Sequence, residues 1–521
     1  MRFGNWCREN YIALIFAFFV GLITVAPHLI FIQQLGSEYK GLYPMKADAE
    51  YYYLSRIHAV YQGDFSVNPY IFEQKHTLPK ATLMFGDALL TLPGVILKIS
   101  VPVLSLIYKF LLPFIATLVL YFLGLQIYSN KFWSVVTAVA VMCGYYFLYP
   151  TDLVSIVKFK EVFSSFSDYS RPIYPQLSSI LFFLYLYVFY KALDTKTWKF
   201  FIWLGVLFGI SFYIYFYAFT FIFALNLVSI VVFLLLKKND LAIKFVWVKI
   251  LGTVIGSYFI WNLYKVMQSA LYPAFAKAEF MELTHKPVIS TIWILTSLIF
   301  GGYLWFKKKK LEESLNTTDY FFITLLITAF GVVNQQVITG RLLQEGHYHW
   351  FFNIPIFILT LSYVGWNFVQ NLNKKYVVLI GIFVLILSFY ATGFVQWSSY
   401  KFNFSQGRED QRYVSVFDYL NTVSKKDDVV FANTEISPLV PIYTFDNVVW
   451  DDGALGYLVP EGRRDFTPEN ILKGDFYTNI KKYKVDYVLW DYQKNPEWKM
   501  DQKWNLKFLK EVRGVKVYSL K

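Results

Sequence analysis

Cysteine and charged residues are scarce in this sequence of 521 residues. The two cysteines, Cys7 and Cys143, exclude a disulfide framework and a cysteine metal cluster. Charged residues make up only 16% of the chain, which is low for a soluble protein of this size. The segment after residue 400 also lacks a glycine-rich phosphate-binding loop, which argues against the common nucleotide-binding fingerprints there.

Hydrophobic residues, by contrast, are abundant. They account for 56% of the chain, aromatic residues account for 21%, and long apolar runs are separated by short charged clusters. This distribution is typical of a polytopic membrane protein. The net charge of +13 does not indicate a nucleic-acid partner, because much of the excess lysine lies at the ends of apolar runs, as in Lys237-Lys238 and Lys374-Lys375.

The apolar runs predict a mainly α fold, a transmembrane bundle of about eleven helices followed by a small C-terminal α/β domain. Spans are predicted near 11–33, 103–127, 132–149, 177–193, 199–217, 218–236, 243–262, 289–306, 319–333, 350–366 and 376–397. The predicted domains are therefore a membrane domain over 1–399, with a first outer loop at 34–101, and an α/β domain over 400–521. In the latter, helices are predicted near 410–424 and 468–483, and strands at 429–432 and 485–490.

The positions of lysine clusters predict the orientation of the chain. They follow alternate spans on the side of Arg2 and Arg8, which the positive-inside rule makes cytoplasmic. With an odd number of spans, segments 34–101, 150–176, 263–288 and 334–349 and the C-terminal domain lie on the opposite, extracytoplasmic face. The apolar segment 81–99 is interrupted by Asp87 and by Pro93-Gly94, so we expect an interfacial or re-entrant helix rather than a twelfth span.

Two carboxylates in the first outer loop, Asp48 and Glu50, are the candidate catalytic residues. On a continuous helix, side chains two positions apart point to different sides. If Asp48 instead caps the helix, its carboxylate can turn toward a site, while Arg56 continues the helix behind it as a candidate substrate-binding residue. The structural alternative is an ordinary aspartate N-cap, with Glu50 interacting favourably with the helix dipole.

Two further outer segments carry candidate substrate-binding residues. Arg171 follows Asp168-Tyr169-Ser170 and could bind a lipid phosphate in a bidentate way, or could simply anchor a helix end at the membrane interface. The segment between the ninth and tenth spans contains Arg341, Glu345, His347 and His349. If that segment is extended, its alternate residues share one side and could bind a metal; they could equally bind sugar hydroxyls or a phosphate. A divalent cation therefore stays open as a cofactor.

Together, this architecture and the Asp48-Ala49-Glu50 motif resemble the GT-C glycosyltransferases, the class of oligosaccharyltransferase catalytic subunits, protein O-mannosyltransferases and bacterial lipid A sugar transferases. Members carry an acidic motif in the first outer loop and have eleven to thirteen spans. The resemblance implies a polyprenyl-phosphate-linked sugar donor, contact with membrane lipids, a glycan, lipid or protein acceptor, and a place in the prokaryotic plasma membrane. It also implies that the sugar is transferred on the extracytoplasmic face.

The main alternative is a transporter or flippase of lipid or sugar. Such a protein would place ionisable residues near the bilayer midplane and would show two repeated halves. Neither feature is clear in the sequence. The grouping of acidic, arginine and histidine motifs on one face favours the transferase.

Overall fold

A computed structural model describes residues 3–45, 50–65, 83–273, 276, 282–451, 467–473, 475–498, 500 and 506–520. The fold is mainly helical. The α-helices of eight or more residues are Tyr11–Leu35, Glu50–Tyr61, Phe85–Leu97, Val101–Tyr128, Lys131–Cys143, Pro150–Val157, Gln176–Thr195, Trp198–Ile214, Phe216–Leu235, Asn239–Ile255, Ser257–Met267, Thr291–Lys310, Thr317–Val333, Ile354–Val369, Lys374–Asp410 and Arg412–Val423. Short helices lie at Phe3–Glu9, Gln336–Thr339, Glu345–Tyr348, Val440–Tyr443, Pro468–Lys473 and Phe476–Lys482.

Every predicted span overlaps a helix, and the protein is an integral membrane protein. Among the described residues, six helices are long and apolar enough to cross a membrane, or seven if the bent pair Asn239–Ile255 and Ser257–Met267 forms one span. Other helices are shorter than the predicted spans. The helix that is predicted over 132–149, for example, ends at Cys143. Thirteen residues give a helix of about 20 Å, less than the roughly 30 Å of a bilayer core. The total of about eleven spans stays a prediction.

The described residues form two compact units, and the first contains most of the apolar helices. It comprises Met1–Pro27, Ile107–Phe259 and Phe280–Ser399. Two helices in this unit, Trp198–Ile214 and Asn239–Ile255, pack closely through glycines spaced four residues apart. A Cβ added at Gly252 would lie 2.1 Å from the ring of Phe208, and one at Gly209 would lie 2.5 Å from Ile255. Glycine is therefore required here, since close approach of backbones is what stabilises helix pairs in lipid.

A buried ion pair joins two further helices of the first unit. Lys307 Nζ lies 2.6 Å from Asp319 Oδ2, and Tyr363 donates to the other carboxylate oxygen. Asp319 also completes a capping box with Asn316 at the start of the helix Thr317–Val333. The first lysine of the 307–310 run thus has a structural partner in addition to the topological role that the sequence indicates.

The second unit comprises His28–Leu106, Ile260–Glu279 and Tyr400–Lys521. The predicted C-terminal domain thus falls in one unit with residues 34–101, the predicted first outer loop. Its five-stranded sheet consists of β3 (Val429–Ala432), β4 (Asn447–Val448), β5 (Tyr487–Asp491), β6 (Lys507–Val512) and β7 (Val515–Ser519). The strands lie in the order β4-β3-β5-β7-β6. Strand β3 runs parallel to β4 and β5, whereas β5 with β7 and β6 with β7 are antiparallel.

The central strands β3 and β5 of this sheet are mostly apolar segments of the sequence. All four residues of β3 and all five of β5 are buried. Phe431 and Trp490 stack with their ring centroids 6.0 Å apart and their planes 2° apart. Strand β6, at the edge, is largely exposed and carries Lys507, Lys510 and Glu511, charges that discourage pairing with another chain. A two-stranded pair in the first unit joins β1 (Glu282–Leu283) to β2 (Arg341–Leu342).

The helix Phe85–Leu97 has an apolar outer face and a partly polar inner one. Phe85, Leu89, Leu92 and Ile96 are exposed, while Asp87 and Thr91 are buried. Its thirteen residues span about 20 Å. This length and this pattern favour the interfacial helix that the sequence predicts over a twelfth span.

Candidate functional site

The structure describes only Glu50 of the acidic motif Asp48-Ala49-Glu50, because Asp48 lies outside the described residues. Glu50 is the first residue of the helix Glu50–Tyr61 and is completely buried. Its negative charge helps to raise the pKa of Tyr51, after burial and the charge of Asp410. The same helix contacts the C-terminal segment, where His58 Nδ1 lies 2.8 Å from the carbonyl of Pro441. Burial lowers the pKa of His58, and this hydrogen bond opposes the shift.

Arg56 occupies a buried polar site between two helices. Its Nη2 donates to Asp87 Oδ2 at 2.6 Å and its Nη1 donates to the hydroxyl of Tyr52 at 3.1 Å. Both members of the ion pair have no exposed side-chain surface. This geometry favours a role in fastening the helix Phe85–Leu97 to the helix Glu50–Tyr61, rather than direct contact with substrate.

Arg171 is held in a fixed orientation directly after the short 3₁₀ helix Asp168–Ser170. Its side chain is 3% exposed, and its Nε donates to the carbonyl of Tyr174 at 2.5 Å. The guanidinium carbon lies 5.9 Å from the centre of the Phe351 ring. Lys109, a fully buried residue of an apolar helix, donates to the carbonyl of Ser170 at 2.7 Å and thereby supports the residue before Arg171.

The two predicted segments around Arg171 and His347 are connected through Tyr215. This tyrosine has an extended backbone between the helices Trp198–Ile214 and Phe216–Leu235. Its ring stacks on Tyr174 at 4.2 Å, and its hydroxyl lies 2.5 Å from His347 Nδ1. Tyr217, two residues on, contacts the His347 ring at 4.4 Å between centroids. Arg171, Tyr174, Tyr215, Tyr217 and His347, here termed the outer cluster, therefore form one contiguous group.

The segment that contains His347 is helical rather than extended. Residues 345–348 form an α-helical turn and 349–353 a π-helix. His347 consequently contacts Tyr215, while His349 packs edge-on against Tyr149, with 5.9 Å between the ring centroids. The extended conformation, in which alternate residues of this segment would share one side, is therefore wrong for residues 345–349. Among the described residues, no group of three or more histidine, cysteine or acidic side chains could hold a metal ion.

The remaining candidates occupy different surroundings. Glu345 begins the short helix Glu345–Tyr348 and is half-buried. Arg341 is exposed and lies in β2, and its carbonyl accepts a hydrogen bond from Gln335. Its assignment to substrate binding stays a prediction.

The sequence interpretation missed Tyr215 and the carboxylate of Asp152. The sequence does contain a signal for Tyr215, because this residue brings a polar hydroxyl to the junction of two apolar runs. Asp152 lies in the helix Pro150–Val157. Burial raises its pKa, a hydrogen bond from Thr151 opposes the shift, and the negative charge of Asp168 raises it further. A pair of acidic residues thus lies close to the segment that carries Arg171.

No protein-family model and no curated protein matches the sequence. Solved structures do match the fold. The archaeal oligosaccharyltransferase AglB from Archaeoglobus fulgidus, in complex with an inhibitory peptide and a dolichol-phosphate, superimposes with a TM-score of 0.53 and 10% identity. The match covers 94% of this chain and 70% of AglB.

A second group of similar structures comes from a bacterium. ArnT from Cupriavidus metallidurans, bound to undecaprenyl phosphate, matches with a TM-score of 0.50 and 9% identity, over 95% of this chain and 97% of ArnT. Its apo form gives a TM-score of 0.50 and 11% identity, over 94% and 97%. Both proteins are GT-C glycosyltransferases, so the predicted resemblance is confirmed at the level of the fold.

Proposed function

We propose that this protein is a membrane glycosyltransferase that moves a sugar from a polyprenyl-phosphate donor to an acceptor on the extracytoplasmic face. The observation that carries the proposal is the outer cluster. A buried arginine and a histidine from distant segments are connected there through Tyr174 and Tyr215, at the ends of helices in a membrane protein. The fold likeness to AglB and ArnT supports this function, since those structures contain dolichol-phosphate and undecaprenyl phosphate.

In the proposed reaction, an acceptor hydroxyl attacks the anomeric carbon of the donor sugar. Asp48 takes the hydroxyl proton as the carbon–oxygen bond forms, or stabilises the hydroxyl electrostatically. The bond from the anomeric carbon to the phosphate breaks with inversion, and the phosphate leaves with the bonding electron pair. Arg171 stabilises the developing negative charge, since the Tyr174 carbonyl already fixes its orientation and little reorganisation is needed.

His347 would complete the phosphate end of the site. Its Nδ1 is next to the Tyr215 hydroxyl, which fixes the orientation of the ring. Arg341, Glu345 and His349 are further candidates for the sugar or phosphate. Arg56 would act indirectly, by keeping the first outer loop in place.

The test is to incubate the purified protein with a panel of polyprenyl-phosphate sugars and to measure the release of free polyprenyl phosphate. The proposal predicts release from at least one donor, and loss of most of that release in Arg171→Gln. If no donor releases its carrier but the protein moves a lipid across vesicle membranes, the protein is a transporter instead.

A further inference from the structure

An exposed apolar surface extends from the helix Pro150–Val157 into the chain after it. Four large apolar side chains are exposed there: Val154, Val157, Phe159 and Val162. Lys158 and Lys160, which flank Phe159, are exposed as well. Apolar side chains next to cationic ones are typical of a segment that lies in the interface of a membrane. Residues 154–162 are termed the Phe159 segment below.

Phe159 occupies a backbone position that favours glycine. The helix before it ends in a Schellman motif, in which the N–H of Lys160 donates to the carbonyl of Ser155 at 2.8 Å. The N–H of Phe159 donates to the carbonyl of Ile156 at 3.2 Å. This motif places Phe159 in the left-handed region, at φ 53°. That conformation is unfavourable for a residue with a Cβ and a bulky side chain, so a favourable contact of the ring must offset its cost.

The protein supplies only part of that contact. The ring of Phe159 lies edge-on to the rings of Tyr390 and Phe394, with 6.4 Å between the centroids in each pair. Phe159 nevertheless remains 71% exposed. Both partners belong to the helix Lys374–Asp410. Contact with lipid would remove the rest of the ring from water, which is the contribution that the protein itself does not make.

Tyr390 and Phe394 also indicate the depth at which Phe159 lies. Their helix, Lys374–Asp410, is long and apolar enough to cross a membrane. Its exposed large side chains recur at helical spacing and include Phe383, Ile386, Tyr390 and Trp397. Trp397 ends the apolar run, since two serines follow it, and tryptophan is enriched at membrane interfaces. Phe394 is three residues before Trp397, or about 4.5 Å along the helix, so Phe159 is level with the margin of the apolar run.

The chain that follows is fastened to the same helix by hydrogen bonds. The N–H of Phe163 donates to Ser398 Oγ at 3.1 Å. The N–H of Ser167, four residues before Arg171, donates to Gln396 Oε1 at 2.9 Å. These bonds fix the height of the Phe159 segment against the end of the apolar run.

We propose that the Phe159 segment inserts into the membrane interface and binds anionic phospholipids of the bilayer. Phe159 and Val162 enter the layer of acyl chains. Lys158 and Lys160 bind the headgroup phosphates, because an ammonium group on a long apolar stem is favoured at that level. The proposal goes beyond sugar transfer and makes the segment that leads to the outer cluster sensitive to the composition of the membrane.

Insertion is tested with a fluorescent label on Val162→Cys in the full-length protein, in a background without Cys7 and Cys143. The protein is placed in lipid nanodiscs, and two quenchers are compared, a nitroxide on a lipid acyl chain and iodide in the water. The matched control carries the label on Glu161→Cys, one exposed residue earlier. The acyl-chain nitroxide should quench the label at 162 more than iodide does, and the order should be reversed at 161.

Headgroup binding is tested with the same label at Val162. Nitroxide-labelled phosphatidylglycerol and phosphatidylcholine are compared as quenchers, so that their ratio reports the local enrichment of the anionic lipid. Each lysine near the surface favours an anionic lipid by roughly fivefold, and Lys158→Gln/Lys160→Gln should remove the enrichment. Lys308→Gln/Lys309→Gln removes the same charge from two exposed lysines of another helix and should leave the ratio unchanged.

Phe159→Gly separates insertion from packing within the protein. Glycine is the residue that the left-handed position favours, so the variant should stay folded. It should nevertheless lose most of the quenching of the Val162 label by the acyl-chain nitroxide, whereas Phe159→Leu, which keeps an apolar side chain, should retain it.

Stronger quenching of the Val162 label by iodide than by the acyl-chain nitroxide would overturn the proposal, since a water-exposed face awaits a different occupant. Equal quenching by the two headgroup classes in wild type would also overturn it. No arm of the test needs a sugar donor, so its outcome is independent of the proposed transfer reaction.

Discussion

Replacing Arg56 with methionine separates a structural role from a substrate-binding role for the arginine of the first outer loop. The guanidinium and the Asp87 carboxylate are both fully buried, with Nη2 and Oδ2 2.6 Å apart. Arg56→Met would leave that carboxylate buried without its cation. Breaking a buried pair from one side typically costs about 3–5 kcal/mol, so the free energy of unfolding should fall by that amount.

Chemical denaturation of the detergent-solubilised protein measures this change. Asp87→Asn should destabilise the protein on a similar scale, because it leaves the buried guanidinium of Arg56 without a negatively charged partner. The double variant Arg56→Met/Asp87→Leu should lose much less than the sum of the two single changes, since apolar residues often replace a buried ion pair at little cost. The positive coupling between the two positions is the distinctive signature of the pair.

The matched control is Arg408→Gln. Arg408 pairs with Glu38 in the same unit, but both side chains are more than half exposed, so no measurable loss of stability is expected. If Arg56→Met unfolds like wild type and yet abolishes carrier release, Arg56 contacts substrate. The structural interpretation of the pair would then be wrong.

Other predictions concern packing, pH and topology. Gly252→Ala should lower the free energy of unfolding by about 1–3 kcal/mol, because the added Cβ collides with Phe208, whereas Gly331→Ala, where nothing lies within 4 Å, should cost nothing measurable. Burial raises the pKa of Asp446 to about 7, hydrogen bonds from Ser424 and Thr444 oppose the shift, and the charges of Asp428 and Asp486 add to it. The folded state holds this proton more tightly than the unfolded state, so the contribution of Asp446 to stability is most favourable below about pH 4 and is lost as the pH rises through about 7. Asp446→Asn should therefore reduce the loss of stability between about pH 4 and 7 in denaturation experiments. A cysteine at Ser405, in a background without Cys7 and Cys143, should react with an impermeant thiol reagent added outside intact cells, and reaction only after permeabilisation would reverse the proposed orientation.

The helices and the central strands could be predicted from the sequence because their signals are local. Runs of apolar residues indicate the membrane helices, and the buried run Val429–Ala432 is a strand where the sequence predicts one. The sequence predicts that the last membrane span ends near 397, but the helix that contains it, Lys374–Asp410, continues to Asp410. Its last turns are polar, so the apolar run that indicates the span ends before them. The backbone nevertheless stays helical to Asp410.

The candidate site could be predicted only in part. Residue type and a predicted shared face indicate Arg171 and His347, but they do not indicate the tyrosine that connects them. The hydrogen bond between Tyr215 and His347 joins positions 132 residues apart, and no local pattern encodes such a contact. The turn at 345–348 was too short for its helical period to be distinguished from an extended segment. The same limit applies to the Arg56–Asp87 pair.

The rate of polyprenyl phosphate release by Asp48→Asn tests the central claim most directly. Asparagine keeps the size and the N-capping ability of the side chain but removes its charge and its basicity, so the fold should survive. The account predicts a rate at least about 100-fold below wild type, the usual scale for loss of a positioned general base, with a smaller loss in Glu50→Gln. A folded Asp48→Asn protein that releases the carrier at a near-normal rate would remove Asp48 from the chemistry and contradict the proposed reaction.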